Sequence, residues 1–435
     1  MPLESQTFLR SLFDAAVAAA DPLLLLPGRL PSPPVGRTVV IGAGKAAARM
    51  ARAVELEWAG PIEGLVVTRY GHGELCKRIR VVEAAHPLPD AAGQEATVRI
   101  LQHVRDLTPD DLVVCLLSGG GSALLESLPA GITLDELRTV GRALLRSGAG
   151  ISEINCVRKH LSLVKGGRLA AAAHPARVAT YVISDVPGDD PSVIASGPTV
   201  PDPTTFADAL AILERYGIAE PAPVLHHLRA GAAAVGSRAV RLPGQSETPK
   251  PGDPSFARDE VVVLATAHSA VDAAARVACA AGVEPVVLGH ALEGEARELG
   301  RAHAELACTC ASGRGLATAP CVLLSGGETT VAVSGRGRGG RNTEYLLGLA
   351  LGLQGATGIS AIAADTDGID GTEDNAGAFL TPGTLELARA AGLDAAVAQA
   401  SNDAYGFFAA AGGLLVIGPT RTNVNDLRAV LVQTA

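Results

Sequence analysis

Short runs of aliphatic and β-branched residues recur along the chain, and each ends in glycine or polar residues before an alanine- and leucine-rich segment. Runs that are apolar throughout are typical of parallel strands covered by helices on both faces. The pattern therefore predicts an α/β protein. In the first half the predicted strands are Thr38–Ile41, Leu65–Thr68, Ile79–Ala84, Leu112–Leu117 and Val178–Ser184.

The second half repeats this pattern after residues 241–258, which contain four prolines and no hydrophobic periodicity. We interpret those residues as a linker. The prediction is a Rossmann-like domain at 1–240, including a helix within residues 5–26, and a second α/β domain at 259–435. The later predicted strands are Glu260–Ala265, Pro285–Leu288, Cys321–Leu324, Ile359–Ala363 and Leu414–Ile417.

Composition narrows the functional classes. The net charge of −9 over 435 residues and the 3 % of aromatic residues argue against a nucleic-acid binder. We expect no membrane span, since no apolar run approaches about 18 residues. Seven cysteines without metal-type spacing favour a reducing, cytoplasmic location. The sequence allows a homodimer but does not decide the oligomeric state.

A glycine turn follows the first predicted strand. Gly42-Ala43-Gly44-Lys45 fits the permissive dinucleotide pattern G-x-G-x-x-A, yet no acidic residue follows the next strand to hold a ribose. A lysine at the positive end of a helix is unfavourable unless an anion is bound. We therefore predict that Gly44 and Lys45 bind phosphate.

Two further strands end in similar turns, LLSGGGSALL at 116–125 and LLSGGETTVA at 323–332. Glycine amides can converge on an anion, so we predict nucleotide phosphate contacts from both turns. A second strand-like run, Thr329–Val333, leads into an arginine- and glycine-rich loop that ends at Arg341. The alternative is a solvated loop or a nucleic-acid patch. The predicted cofactor-binding residues are Ser118, Gly119, Gly120, Gly121, Ser122, Ser325, Gly326, Gly327 and Glu328.

Carboxylates cluster after one strand in each half. Asp185, Asp189 and Asp190 lie within six residues, and Asp365, Asp367 and Asp370 repeat the arrangement. Such clusters suit Mg²⁺ binding or a general base, although Asp and Gly also favour ordinary turns.

Basic residues and histidines supply further candidates. The segment Asn155–Arg168 is rich in basic residues, and on a helix Arg158 and Lys165 would share one face, as anion ligands or as a solvated surface. His86 and His268 each follow a predicted strand and could contact a ligand or be structural.

Together these stretches resemble the glycerate 2-kinase family, whose C-terminal half is the MOFRL module. The resemblance covers nearly the whole chain. Its most specific segment is SDVPGDDPSVIASGPTVPD at 184–202. Other matching segments are GAGKAA at 42–47, HPLPD at 86–90, NCVRKHLS at 155–162, KGGRLA at 165–170, GEARE at 294–298, GRGGRNTE at 337–344, DTDGIDG at 365–371, NDAYGFF at 402–408 and TNVNDL at 422–427.

The resemblance implies a two-domain α/β enzyme, its second domain the smaller, with the active site in the cleft between the domains. It would use ATP and a divalent metal, taken as Mg²⁺, to phosphorylate D-glycerate at the 2-hydroxyl. Lys45 and Arg341 match the family's proposed cleft lysine and arginine. We assign both to catalysis, with Asp189 as base or metal ligand. The remaining assignments are Asp185, Asp190 and Asp367 to metal, and Arg158 and His86 to substrate.

Two positions depart from the family pattern. Thr343 stands where glutamine is usual, and Arg421 where glycine is usual. Two alternatives stay open: an NAD(P)H-dependent hydroxypyruvate reductase, a name some relatives have carried, and a non-catalytic regulator that binds a sugar acid.

Overall fold

The computed structural model describes residues 4–234 and 244–434. Contacts divide the chain into two compact units. The N-terminal unit is Leu26–Leu264, and the C-terminal unit combines the chain up to Leu25 with Ala265–Ala435. Among the helices of the described residues, none is long and apolar enough to cross a membrane.

Strands and helices alternate along most of the described chain, as the apolar pattern predicts. The strands are β1 (Thr38–Ala43), β2 (Glu63–Arg69), β3 (Ile79–Ala84), β4 (Leu112–Leu117), β5 (Arg177–Ile183), β6 (Glu260–Ala265), β7 (Glu284–Gly289), β8 (Cys321–Gly327), β9 (Ile359–Asp365), β10 (Gly377–Leu380), β11 (Leu414–Leu415) and β12 (Asp426–Val432). The helices are α1 (Ser5–Ala18), α2 (Pro22–Leu25), α3 (Ala47–Glu57), α4 (Ala91–His103), α5 (Gly121–Leu124), α6 (Leu134–Arg146), α7 (Ile151–His160), α8 (Arg168–Ala173), α9 (Phe206–Arg215), α10 (Ala222–Ala233), α11 (Ala267–Ala280), α12 (Ala296–Ala311), α13 (Arg341–Leu353), α14 (Thr384–Ala390), α15 (Ala395–Ala400) and α16 (Ala404–Ala410).

The N-terminal unit contains a six-stranded sheet in the order β3-β2-β1-β4-β5-β6. The pairs from β3 to β5 are parallel, and every residue of β1 and β4 is buried. This confirms the predicted Rossmann-like parallel sheet. In this strand order the direction of the crossovers reverses between β1 and β4, and ligands of such folds bind beyond the carboxyl ends of the strands at that point.

The C-terminal unit contains a mixed six-stranded sheet in the order β11-β10-β9-β12-β8-β7. β12 runs antiparallel to both β8 and β9 and lies between them. The sequence analysis missed β10 and β12. It was also wrong about Thr329–Val333, which forms no strand and contributes only an isolated bridge from Thr330 to Glu295.

The division of the chain differs from the predicted domains 1–240, 241–258 and 259–435. α1 buries Phe8, Leu9, Leu12, Phe13 and Ala16 and packs in the C-terminal unit, against α11 and the sheet. A helical apolar stripe fits either sheet, so its sequence could not show which one it covers.

The predicted linker also has a different position. Residues 244–258 pack on the N-terminal unit, where Thr248 Oγ1 donates to Asp202 and Asp202 N donates to Pro249 O. β6, predicted to begin the second domain, is the sixth strand of the first sheet. The predicted boundary at 240 and residues 241–243 of the linker lie outside the described residues.

Candidate functional site

In the N-terminal unit the turns after β1 and β4 are joined by hydrogen bonds. Lys45 N donates to Gly119 O at 2.8 Å, and Ala46 N donates to Ser118 Oγ at 2.9 Å. Thr68 Oγ1 donates to Lys45 O at 3.3 Å. These bonds fix the backbone of Lys45 at the point where the crossovers reverse, and leave its side chain half-buried.

Glycine is required where these turns meet their neighbours. Gly44 has a φ of +138°, and an added Cβ would lie 2.1 Å from Ser118 Oγ. Gly120 has a φ of +78° and packs against the His86 ring. The structure thus brings the predicted residues His86, Gly44 and Gly120 together, and shows that these two glycines are needed for close packing.

A polar chain that the sequence analysis missed continues from this turn. Ser122 Oγ lies 2.8 Å from Ser196 Oγ, which donates to Asn155 Oδ1 at 3.0 Å. Ala195 and Ser196 have φ values of 51° and 60°, in the left-handed region that costs energy for residues with a Cβ. Strain of this kind concentrates at functional sites. The signal was the exceptionally specific 184–202 segment, in which only the carboxylates were considered.

The basic segment is not a basic helix face. α7 ends at His160, before Lys165, whose ammonium is buried against Glu126. Lys159 pairs with buried Asp202 at 3.2 Å. These two cations are therefore internal counter-ions, and the prediction that Lys165 shares a helix face with Arg158 was wrong.

Arg158 differs from its neighbours because it forms no ion pair with any described residue. It lines a cavity together with Pro87, Ser122, Glu126 and Arg138. Burial lowers the pKa of the Arg158 guanidinium, and Glu126 opposes that shift. A half-buried, unpaired guanidinium facing a cavity is suited to an anionic ligand.

The carboxylates after β5 do not form a ready-made metal cage. Asp190 Oδ1 accepts from Ser192 N at 2.8 Å, as in an ordinary turn. The Asp189 carboxylate accepts no hydrogen bond from the described residues, and its backbone has a φ of 54°. Within residues 4–234 and 244–434, Asp185, Asp189 and Asp190 do not group as a set of mutually close ligands. The Asp189 carboxylate is therefore available to accept a proton or a cation, whereas one oxygen of Asp190 is used by its turn.

In the C-terminal unit, Arg341 is the first residue of α13 and lies among carboxylates. Its Nε donates to Asp426 Oδ2 at 2.8 Å, Nη1 to Glu328 Oε1 at 2.8 Å and Nη2 to Asp365 Oδ2 at 2.7 Å. Burial favours the neutral guanidine, but these carboxylates outweigh it and raise the pKa of Arg341. Two of its five N–H groups remain for a ligand.

The carboxylate that holds Arg341 was missed in the sequence. Asp426 is buried, and it also accepts from Asn342 Nδ2 at 2.8 Å and from Arg428 Nη2 at 2.6 Å. Arg428 in turn donates to Gly327 O at 3.2 Å, which ties this network to the end of β8. Ser325–Gly327, predicted to form a turn, belongs to β8 and pairs with β12. The polar TNVNDL segment at 422–427, which leads into the buried strand β12, was the available signal.

The acidic cluster at 365–371 serves several structural purposes. Asp370 accepts from Asn342 N at 3.0 Å, Thr343 N at 2.9 Å and Thr343 Oγ1 at 2.8 Å, and thereby caps α13. Asp367 is buried, and its Oδ1 accepts from Ile369 N. The assignment of Asp367 to metal stays a prediction.

The two sequence departures have structural counterparts. Thr343 takes part in the cap made by Asp370. Arg421 has a φ of 60°, which explains why glycine is usual there.

Two α/β units, each with glycines and a cation near the carboxyl end of a strand, are typical of enzymes of the α/β class. The model of the domain of unknown function DUF4147 matches residues 8–229, and the MOFRL family model matches residues 321–426. The chain belongs to the glycerate 2-kinase family that combines these two modules.

Individual relatives are similar in sequence or structure over more than nine-tenths of this chain. The chain is 40 % identical to a D-glycerate 2-kinase of Thermotoga maritima over 92 % of this chain and 91 % of that protein. A crystal structure of glycerate kinase from the same organism covers 99 % of this chain and 100 % of that one, with a TM-score of 0.86 and 38 % identity. A protein of Agrobacterium vitis is 52 % identical over 99 % of this chain and 95 % of its own, and carries the provisional name hydroxypyruvate reductase.

Proposed function

We propose that the protein transfers the γ-phosphoryl group of ATP to the 2-hydroxyl of D-glycerate, giving 2-phospho-D-glycerate and ADP. The relatives named glycerate kinase support the substrate. The observation that carries the choice of chemistry is the turn at Lys45. The amides of Lys45 and Ala46 donate within the protein, so this turn presents a lysine side chain rather than a row of free amides.

Phosphoryl transfer needs positioned reactants and stabilisation of the charge on the transferred group. We assign Lys45 and Arg341 to stabilise that charge. The backbone of Lys45 is fixed by hydrogen bonds, and the guanidinium of Arg341 is fixed by carboxylates. The turn at Ser118–Gly121 and the end of β8 at Ser325–Gly327 are assigned to the nucleotide phosphates. One active site built from both units stays a prediction.

D-Glycerate carries a carboxylate, for which we assign Arg158. Its unpaired guanidinium lines the same cavity as Ser122, whose turn packs against His86. Asp189 is assigned as the group that orients or deprotonates the 2-hydroxyl, since its carboxylate accepts no hydrogen bond within the described residues.

Mg²⁺ in kinases is usually held by one or two carboxylates together with the nucleotide phosphates, so a complete protein cage is not required. The residues present fit that requirement. Asp185, Asp189 or Asp190 on the turn after β5 would hold the ion, with Asp367 as the candidate in the C-terminal unit. The ion would neutralise charge on the phosphates.

The reductase name of the Agrobacterium vitis relative makes a second function testable. A dinucleotide site at Gly42–Ala47 would use the amides at the start of α3 for the pyrophosphate and an acid after β2 for the ribose. Two of those amides are already bonded within the protein, and β2 ends in Thr68-Arg69 and is followed by Tyr70.

The test is a parallel assay of the purified full-length chain. One reaction contains D-glycerate, ATP and Mg²⁺, with the product identified by NMR, and the other contains hydroxypyruvate and NADH. We expect ATP-dependent 2-phosphoglycerate and no NADH oxidation. A 3-phosphate product would contradict the proposed position of attack. NADH oxidation without phosphoryl transfer would overturn the kinase, and ligand binding without turnover would indicate a regulator.

A further inference from the structure

Three metal-ligating side chains meet in the C-terminal unit, outside the residues assigned to the reaction. His268 and Asp272 lie four residues apart on α11 and therefore share one helix face. His290 directly follows β7. One ligand atom from each side chain lies within 4.8 Å of the other two, and no other such group of three occurs in residues 4–234 and 244–434.

Two of the separations, each to one oxygen of Asp272, are close to those between ligands of one ion. His268 Nε2 lies 3.2 Å from Asp272 Oδ2, and His290 Nε2 lies 3.7 Å from Asp272 Oδ1. In a tetrahedral site with bonds of roughly 2.05 Å, neighbouring ligand atoms are about 3.4 Å apart. The three side chains could therefore surround an ion after small rotations.

Without a cation, one nitrogen of this group is left without a hydrogen-bond partner among the described residues. His290 Nε2 is shielded from solvent, yet it makes no hydrogen bond within the described residues. The two imidazole rings lie with centroids 3.9 Å apart and planes inclined at 33°. Two protonated rings at that distance would repel one another, whereas neutral imidazoles are the form that binds metals.

We propose that His268, Asp272 and His290 bind a divalent transition-metal ion of the Zn²⁺ class. Two imidazoles and one carboxylate suit Zn²⁺, Co²⁺ or Ni²⁺, whereas Mg²⁺ prefers oxygen ligands. The side chain of His268 is 62 % exposed and that of Asp272 is 41 % exposed, so the ion would keep open positions for water or a ligand.

The loop that carries His290 packs against Gly326 at the end of β8. Leu292 N donates to Gly326 O at 2.9 Å, so the loop that carries His290 is bonded to the end of β8. A Cβ on Gly326 would lie 2.9 Å from His290 O. An ion bound by the three side chains would therefore fix the loop after β7, which packs on the predicted phosphate-binding segment Ser325–Gly327.

The test uses metal-free full-length protein titrated with Co²⁺, followed by its visible d–d absorption, and with Zn²⁺, followed by calorimetry. We expect one ion per chain. The double variant His268→Ala/His290→Ala should bind at least about 100-fold more weakly, and Asp272→Asn about 10-fold or more, given the sensitivity of metal sites to even indirect changes. His226→Ala, an exposed histidine on α10, is the matched control and should bind normally.

Folding and competing thiols are controlled in the same experiment. His268 and Asp272 are partly exposed, so the thermal midpoint of each metal-free variant should match that of the parent. Cys279 and Cys308 are exposed, and a cobalt–thiolate charge-transfer band would reveal binding there. Unchanged binding by the double variant, thiolate binding alone, or no binding at micromolar Zn²⁺ would each overturn the proposal.

Discussion

The two Ser-Gly-Gly segments, which begin at Ser118 and at Ser325, have the same sequence but different surroundings. After β4, the turn at Ser118–Gly121 accepts hydrogen bonds from the backbone amides of Lys45 and Ala46. At the end of β8, the strand residues Ser325–Gly327 lie beside a network in which Arg341 contacts Asp365, Asp426 and Glu328. The two segments are therefore similar in sequence, but one bonds to the backbone beside a lysine and the other lies beside an arginine held by three carboxylates.

The difference follows from strand direction. In the N-terminal sheet β1 is parallel to β4, so both strands bring their carboxyl ends and following turns to one edge. In the C-terminal sheet β12 is antiparallel to its neighbours, and its first residue, Asp426, pairs with Gly327 on one side and with Asp365 on the other. The antiparallel strand β12 thus begins with a buried carboxylate at the edge of the sheet where β8 ends in Gly326 and Gly327.

The largest expected effect is at Arg341, which we predict serves both catalysis and stability. Arg341→Ala should lower kcat by roughly 10²–10³-fold, the scale of losing one fixed charge at the reacting group. It should also destabilise the protein by about 3–5 kcal/mol, because Asp365 and Asp426 lose a buried counter-ion. Kinetics and denaturant unfolding measure the two effects. Arg389→Ala, at an exposed position on α14, is the control. Lost activity with unchanged stability would contradict the structural half.

Lys45 should show the catalytic effect alone. Lys45→Ala is expected to lower kcat by about 10²-fold or more, since the side chain supplies a fixed charge. Its thermal midpoint should change little, because the bonds to Gly119 and Ser118 come from backbone amides that alanine retains. The control is Lys77→Ala, an exposed lysine of the same unit. A loss of stability as large as that of Arg341→Ala would contradict the prediction that Lys45, unlike Arg341, contributes to catalysis alone.

Much of the fold could be predicted because continuous apolar runs are a strong signal for buried strands. Five of the six strands of the first sheet followed from that signal, and so did the places of Lys45 and Gly120 at strand ends. Asp426 could not be found this way, since its importance depends on pairing across 61 residues with Asp365. The same applies to Lys165, which reads as a surface cation until the fold places it against Glu126.

A smaller effect is expected from the cap of α13. Asp370→Ala should destabilise the protein by about 2 kcal/mol, because it leaves the amides of Asn342 and Thr343 without their acceptor in a buried place. Asp394 caps α15 at the surface through Ala396 N and Val397 N and provides a matched comparison. Asp394→Ala should cost only about 0.5–1 kcal/mol, since water can replace the lost acceptor. Equal losses in thermal unfolding would show that burial does not decide the cost.

The smallest effect concerns Arg421, which departs from the glycine usual in the family. Its φ of 60° is strained for a residue with a Cβ, so Arg421→Gly should stabilise the protein by up to about 1 kcal/mol. Loss of the arginine's own interactions and the greater freedom of glycine in the unfolded chain both reduce the gain. Arg336→Gly, at an exposed position without a left-handed backbone, tests the second of these and should be slightly destabilising. If Arg421→Gly lowers the thermal midpoint as well, the arginine's contacts outweigh the strain, and its departure from glycine is then a stabilising adaptation of this chain.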